Sequence, residues 1–189
     1  MVPLNIPNTL TLLRIIAVPV VVVALLAEVP NGDLWAGIVF AIAACTDGLD
    51  GYIARRRDQV TTFGKLMDPL ADKLLIVAAL VSLVSLGRLE AWIAMVIIAR
   101  ELAVTGLRAV AVEQGVVISA SWMGKLKTAL QVAAIIALIA VDPATLAVDL
   151  LVYAALAVTV ISGADYFFGV RKRIEKERQE QAAQRAEPA

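Results

Sequence analysis

Residues 34–55 read LWAGIVFAIAACTDGLDGYIAR, and residues 64–86 read GKLMDPLADKLLIVAALVSLVSL. Each is a mainly apolar run of membrane-spanning length, since about 20 apolar residues cross a bilayer as a helix. The first run closes on Asp47 and Asp50, and the second opens on Asp68 and Asp72. Ionisable residues inside spans are costly, so they face a cavity or a partner and mark function. Asp47 and Asp50 stand at i,i+3 and Asp68 and Asp72 at i,i+4, so each pair shares one helix face. The connection between the runs is short and brings both faces to the same membrane boundary.

Outward from this pair, four more apolar segments are legible, making six in all: Asn8–Ala27, Leu34–Ile53, Leu66–Leu86, Ala91–Val112, Trp122–Val141 and Leu146–Phe168. Breakers separate them at Pro30-Asn31-Gly32, Gly87-Arg88, Gln114-Gly115 and Asp142-Pro143. Lipid leaves backbone groups no outside partner, so these segments are predicted to be helices. One set of connections holds Arg55 to Arg57 with Lys65, then Lys125 and Lys127, then Arg171 to Arg173; the other set is poor in Lys and Arg. The basic set predicts the cytoplasmic side and puts both termini there. The expected fold is therefore an all-α integral membrane protein, a six-transmembrane-helix bundle whose polar cavity faces the cytoplasm. Residues 1–170 form the membrane domain and 171–189 a polar tail that extends the last helix before fraying. Arg14 interrupts the first segment, which also lacks a basic start and an A-x-A site, so it reads as a retained span rather than a cleaved signal.

Composition excludes several chemistries. Of the 189 residues, 60% are hydrophobic against about 45–50% in an ordinary soluble domain, and mean hydropathy is +0.83. Lys plus Arg equals Asp plus Glu at 17 each, with no basic face suited to nucleic acid. A single cysteine, Cys45, rules out a disulfide framework and a zinc-type cysteine cluster. Histidine is absent, so any metal site must use oxygen ligands, which suits magnesium, calcium or manganese. Four neighbouring carboxylates in a low dielectric need cations or protons. Two divalent ions would neutralise them and leave coordination positions for phosphate oxygens. Buried acids paired with Arg55, Arg56, Lys65 and Lys73 are the bland alternative. An ion-coupled transporter is another, although transport acids usually sit near mid-membrane.

From Asp47 to Asp72 the chain reads D-x2-D-G-x2-A-R-x8-G-x3-D-x3-D. This resembles, at every fixed position, the signature of the CDP-alcohol phosphotransferases, and the six-span layout is similar too. The resemblance implies that Asp47, Asp50 and Asp68 hold two divalent cations, Mg2+ or Mn2+. Asp72 would be the catalytic base on the acceptor hydroxyl and could also touch a metal. Gly51, Arg55 and Gly64 would line the CDP-lipid site. A homodimer in the bacterial cytoplasmic membrane, with its active site facing the cytoplasm, is implied as well.

The acceptor is read from other spans. Asn8-x2-Thr11-x2-Arg14 either caps the first helix or, as it resembles the opening of phosphatidylglycerophosphate and cardiolipin synthases, borders the CDP-lipid site with Asn8 and Thr11. Arg100 and Glu101 lie near mid-span in the fourth segment, and Glu101, Thr105 and Arg108 share a face. Arg100 and Glu101 can simply neutralise each other, and Lys125 and Lys127 can be positive-inside anchors. Taken together, Arg100, Arg108, Lys125 and Lys127 offer more positive charge than a neutral alcohol requires, which favours a phosphorylated acceptor. Arg100-Glu101 and Gly124-Lys125-x-Lys127-Thr128 resemble the corresponding stretches of phosphatidylglycerophosphate synthases. The implied reaction transfers phosphatidyl from CDP-diacylglycerol to glycerol 3-phosphate. Phosphatidylglycerol, in cardiolipin synthesis, and an inositol phosphate are the alternative acceptors.

Overall fold

In the computed structural model, residues 6–27, 29–57, 62–113 and 122–186 are described; within them the side chains of 6–8, 47–57, 62–66, 68–69, 113, 172–174 and 176–186 lie outside the description. The described residues form six helices and no strand: α1 Ile6–Leu26, α2 Gly32–Arg57, α3 Thr62–Ser85, α4 Ala91–Glu113, α5 Trp122–Ala140 and α6 Leu146–Ala186. Three of them, α1, α5 and α6, contain stretches long and apolar enough to cross a bilayer: Thr9–Leu26, Trp122–Ala140 and Leu146–Arg171. In α2 the comparable apolar stretch is shorter, Gly32–Thr46. Asp68, Asp72 and Lys73 interrupt α3, and Arg100, Glu101 and Arg108 interrupt α4.

Packing divides the helices into two groups. α1 lies against α2 and α3, α6 lies against α4 and α5, and contacts of α2 and α3 with α5 and of α3 with α4 join the groups. Phe40, Leu75, Leu80, Leu83, Ile135 and Ile139 form the centre of the seam, each at most 2% exposed. Their burial gives the bundle its contact surface, but the outside is equally apolar. Leu13, Ile16, Met95, Trp122, Leu146 and Leu150 all stand more than half exposed. A water-facing surface of that kind would aggregate; around a bundle of apolar helices it is a lipid-facing belt, and this is a membrane protein.

The ends of the helices follow from local chemistry. α3 closes in a Schellman cap: Gly87, at φ +71°, donates its N–H to Val84 O at 3.0 Å, and Arg88 donates its N–H to Leu83 O at 2.9 Å. α2 starts at Gly32 because nothing larger fits; a Cβ there would stand 2.2 Å from the carbonyl oxygen of Ala24. At the same end, Arg88 ties three connections together. Its Nη2 meets Asp33 Oδ2 at 2.8 Å and Asp142 Oδ2 at 2.9 Å, and its Nη1 donates to Ile139 O at 3.3 Å. The hydrogen bond with Asp33 is the main cause that holds the Arg88 guanidinium above its ordinary pKa, against the cost of burial. Both carboxylates are nearly half exposed, which limits the strength of the clasp. Arg88→Ala is expected to cost about 1–2 kcal/mol, read as a lower thermal midpoint in detergent. An unchanged midpoint would mean the clasp contributes nothing.

α6 has 41 residues, so at 1.5 Å per residue it is about 60 Å long, roughly twice a hydrocarbon core. The polar residues 171–186 thus continue the helix begun in the apolar segment, with Arg171 Nε and Glu175 Oε1 paired at 3.0 Å one turn apart.

Candidate active site

α2 carries Asp47 and Asp50 toward its C-terminal end, and α3 carries Asp68 and Asp72 near its N-terminal end. The two helices contact each other, and the connection at 58–61 joins their acid-bearing ends. Asp72 is part-buried and engaged in interactions of its own. The side chains of Asp47, Asp50 and Asp68, like those of Asn8, Gly51, Arg55 and Gly64, lie outside the described residues. As a donor set, carboxylates alone suit a hard, oxygen-preferring divalent cation.

α1 braces the acidic end of α2. Thr11 and Arg14 are buried, at 0% and 1% exposure. Arg14 donates Nε to Ala43 O at 3.3 Å, and Thr46 donates Oγ1 to the same carbonyl at 2.9 Å. Ala43 lies one helical turn before Asp47, so Arg14 fixes α1 against the turn that presents the first carboxylate.

The four basic residues predicted for the acceptor separate into two situations. Lys127 of α5 is buried at 5% exposure and pairs with Glu101 of α4, itself at 8%. Arg100 Nη1 reaches Glu101 Oε1 at 3.2 Å, so Arg100 and Lys127 are brought together on one carboxylate. Arg108 stands over the ring of Tyr166 in α6, 5.7 Å from its centroid, and Lys125 is exposed. Lys127 therefore lies inside the bundle rather than at a lipid edge, whereas Lys125 keeps a position suited to an anchor.

The sequence offered the Arg100–Glu101 pair, which is observed, but not the further partners of Glu101. Glu101 also faces Lys73 of α3, with Nζ and Oε2 3.6 Å apart. The signal was available in register. Lys127 and Gln131 share the buried stripe of α5 with Ala134, Ile135 and Leu138, and a lysine in line with an apolar stripe needs an internal partner.

The protein also has a cavity of about 850 Å³ at the opposite end of α2 from Asp47 and Asp50, lined by Ala24, Gly32, Gly37, Arg88 and Ile136 among others. Large apolar hollows are common ligand sites. Here Arg88 and Asp33, charged groups in its wall, already satisfy each other. Asp47 and Asp50 lie toward the other end of α2.

Comparison with known proteins shows what the chain is similar to. A family model described as CDP-alcohol phosphatidyltransferase matches residues 4–161. The chain is 43% identical over 180 residues to a CDP-diacylglycerol–glycerol-3-phosphate 3-phosphatidyltransferase of Bacillus subtilis, covering 86% of this chain and 93% of that one. It is 43% identical over 167 residues to a probable phosphatidylglycerophosphate synthase of Mycobacterium tuberculosis, covering 86% and 79%. A CDP-diacylglycerol–glycerol-3-phosphate 3-phosphatidyltransferase of Rickettsia bellii is 34% identical over 174 residues, covering 89% and 96%. The matched span takes in both aspartate pairs, the Arg14 brace and the Glu101 group, and the chain belongs to the CDP-alcohol phosphatidyltransferase family.

Proposed function

We propose that this protein transfers the phosphatidyl group of CDP-diacylglycerol to glycerol 3-phosphate, giving phosphatidylglycerol phosphate and CMP. One observation carries the reading: an aspartate signature at fixed spacing on α2 and α3, in a chain 43% identical to an enzyme named for that reaction. The choice of acceptor gains support from Arg100 and Lys127, gathered with Lys73 at Glu101.

Asp47, Asp50, Asp68 and Asp72 would hold two divalent cations, magnesium in the first instance. When bound, these ions would neutralise the carboxylates and the donor diphosphate and stabilise the charge that develops on the leaving CMP. Asp72 takes the proton from the acceptor hydroxyl. The hydroxyl oxygen forms a bond to the phosphorus that bears the diacylglycerol. The bond from that phosphorus to the CMP oxygen breaks, and CMP leaves with the electron pair. Gly51 and Gly64 give room for the nucleotide, and Arg55 supplies positive charge to its diphosphate. Thr11 and Asn8 border the lipid-linked donor. Arg108 and Lys125 add positive charge at the entrance for the acceptor.

Six membrane-spanning helices with both termini and the aspartates on the cytoplasmic side fit this chemistry, since the nucleotide and the phosphorylated acceptor are water-soluble. The Lys and Arg distribution supports that orientation. Residues 1–170 then form the catalytic membrane domain and 171–189 a cytoplasmic tail, and the enzyme acts as a homodimer.

The test is CMP release by purified protein with CDP-diacylglycerol, magnesium and one acceptor at a time. Release is expected with glycerol 3-phosphate and not with phosphatidylglycerol, inositol phosphate or serine. Release with one of those others and none with glycerol 3-phosphate would overturn the acceptor and leave the chemistry standing.

A further inference from the structure

Glu101 gathers cations from three helices. Its Oε1 accepts from Arg100 Nη1 at 3.2 Å and pairs with Lys127 of α5, while its Oε2 faces Lys73 Nζ of α3 at 3.6 Å. Arg100 is fixed further by α6. Its Nη2 donates to Ser162 Oγ at 2.8 Å, and Ser162 in turn donates to Thr159 O at 3.1 Å. Gly163 leaves room for the same side chain, since a Cβ there would lie 3.0 Å from Arg100 Cγ. Three helices therefore meet at one carboxylate, and α6 joins them through Arg100.

Among the described side chains, the charges at this point do not cancel. Three cations share one anion, with side-chain exposures between 6% and 21%. An uncompensated charge in such surroundings is costly, so two surplus positive charges call for an anion. A phosphomonoester dianion closes the balance. A phosphodiester leaves one positive charge, and a neutral alcohol leaves two. Position agrees with charge. Lys73 directly follows Asp72 on α3, so the group adjoins the helical turn that carries the proposed base.

We propose that Glu101 is a positioning residue for the acceptor, holding Lys73, Arg100 and Lys127 as a preformed cradle that accepts a phosphomonoester and disfavours a phosphodiester. The proposal rests on the phosphatidyl-transfer reading and adds to it the residue that sets acceptor class. Lysine and arginine side chains lose much rotamer entropy when fixed. Glu101 fixes all three before the acceptor arrives, which is how preorganisation raises affinity.

The experiment uses the full chain in detergent with Glu101→Gln and Glu101→Asp. In Glu101→Gln the KM for glycerol 3-phosphate is expected to rise about tenfold or more, with the KM for CDP-diacylglycerol unchanged. Glu101→Asp should recover part of the loss. Binding of inorganic phosphate, titrated calorimetrically in EDTA, should weaken in parallel. An unchanged KM and phosphate affinity would overturn the proposal. So would a fall in KM together with tighter phosphate binding, which would show the carboxylate to be merely repulsive. If Glu101→Gln does not fold, Ser162→Ala loosens Arg100 alone and is expected to raise the same KM by about threefold; no rise overturns the cradle. Wild-type protein that releases no CMP with glycerol 3-phosphate overturns the function reading. The cradle is then judged on phosphate binding alone: it stands if wild type binds phosphate and Glu101→Gln binds it more weakly, and falls otherwise.

Discussion

Asp72→Asn is expected to lower CMP release by about 10²–10⁴-fold, the range lost when a positioned base is removed, while the KM for CDP-diacylglycerol changes little. Asparagine keeps the shape and the hydrogen-bonding oxygen of aspartate but cannot take the acceptor proton. The proposed role rests on sequence position and burial. It is part-buried on α3, one turn after Asp68, and is followed at once by Lys73, which reaches into the Glu101 group. The difficulty is that a carboxylate among carboxylates proposed to bind metal can also act as a ligand. Raising magnesium separates the roles. A lost ligand is compensated at higher cation concentration, whereas a lost base is not. Low activity at every magnesium concentration supports the base, and full recovery at high magnesium would make Asp72 a ligand only. Undiminished CMP release by Asp72→Asn would remove Asp72 from the mechanism altogether.

The helices were legible because hydropathy and helix formation coincide wherever a segment is apolar. The fifth segment was expected at Trp122–Val141 and is observed at Trp122–Ala140. Where the two properties part, the boundaries move. α2 continues past Ile53 to Arg57, and α6 runs past Phe168 to Ala186, the extension expected of the polar tail. Arginine, lysine, glutamate and glutamine end an apolar run, yet all are strong helix formers, and Arg171 with Glu175 adds a pair one turn apart. The helical placement of the acid pairs was legible for the same local reason, since i,i+3 and i,i+4 spacing is fixed by the helix itself; their role belongs to the proposal. The Glu101 group beyond its Arg100 pair was not legible. Lys73, Arg100 and Lys127 lie on three different helices, and their meeting depends on how α3, α4 and α5 pack. Periodicity within each helix carries no record of that packing. It does carry the weaker hint that Lys127 lies in line with a buried stripe.

Chelation of divalent cations is expected to reduce CMP release to background, a loss of about 10³-fold or more, with recovery on adding magnesium or manganese. The expectation follows from the donor set. The chain has no histidine and one cysteine, so oxygen ligands are all that the signature offers. Neighbouring carboxylates without cations repel one another and must take up protons to remain in a low dielectric. Loss of the ions therefore removes the charge stabilisation that the donor diphosphate would receive. Folding gives a second reading. A cation that binds only the native state raises stability by mass action, so the thermal midpoint in EDTA should rise as magnesium is added. Asp68→Asn should shift that rise to higher magnesium, since one ligand is gone. CMP release that persists in EDTA, with a thermal midpoint indifferent to magnesium, would leave the aspartates without the two ions and reduce them to a proton-sharing cluster.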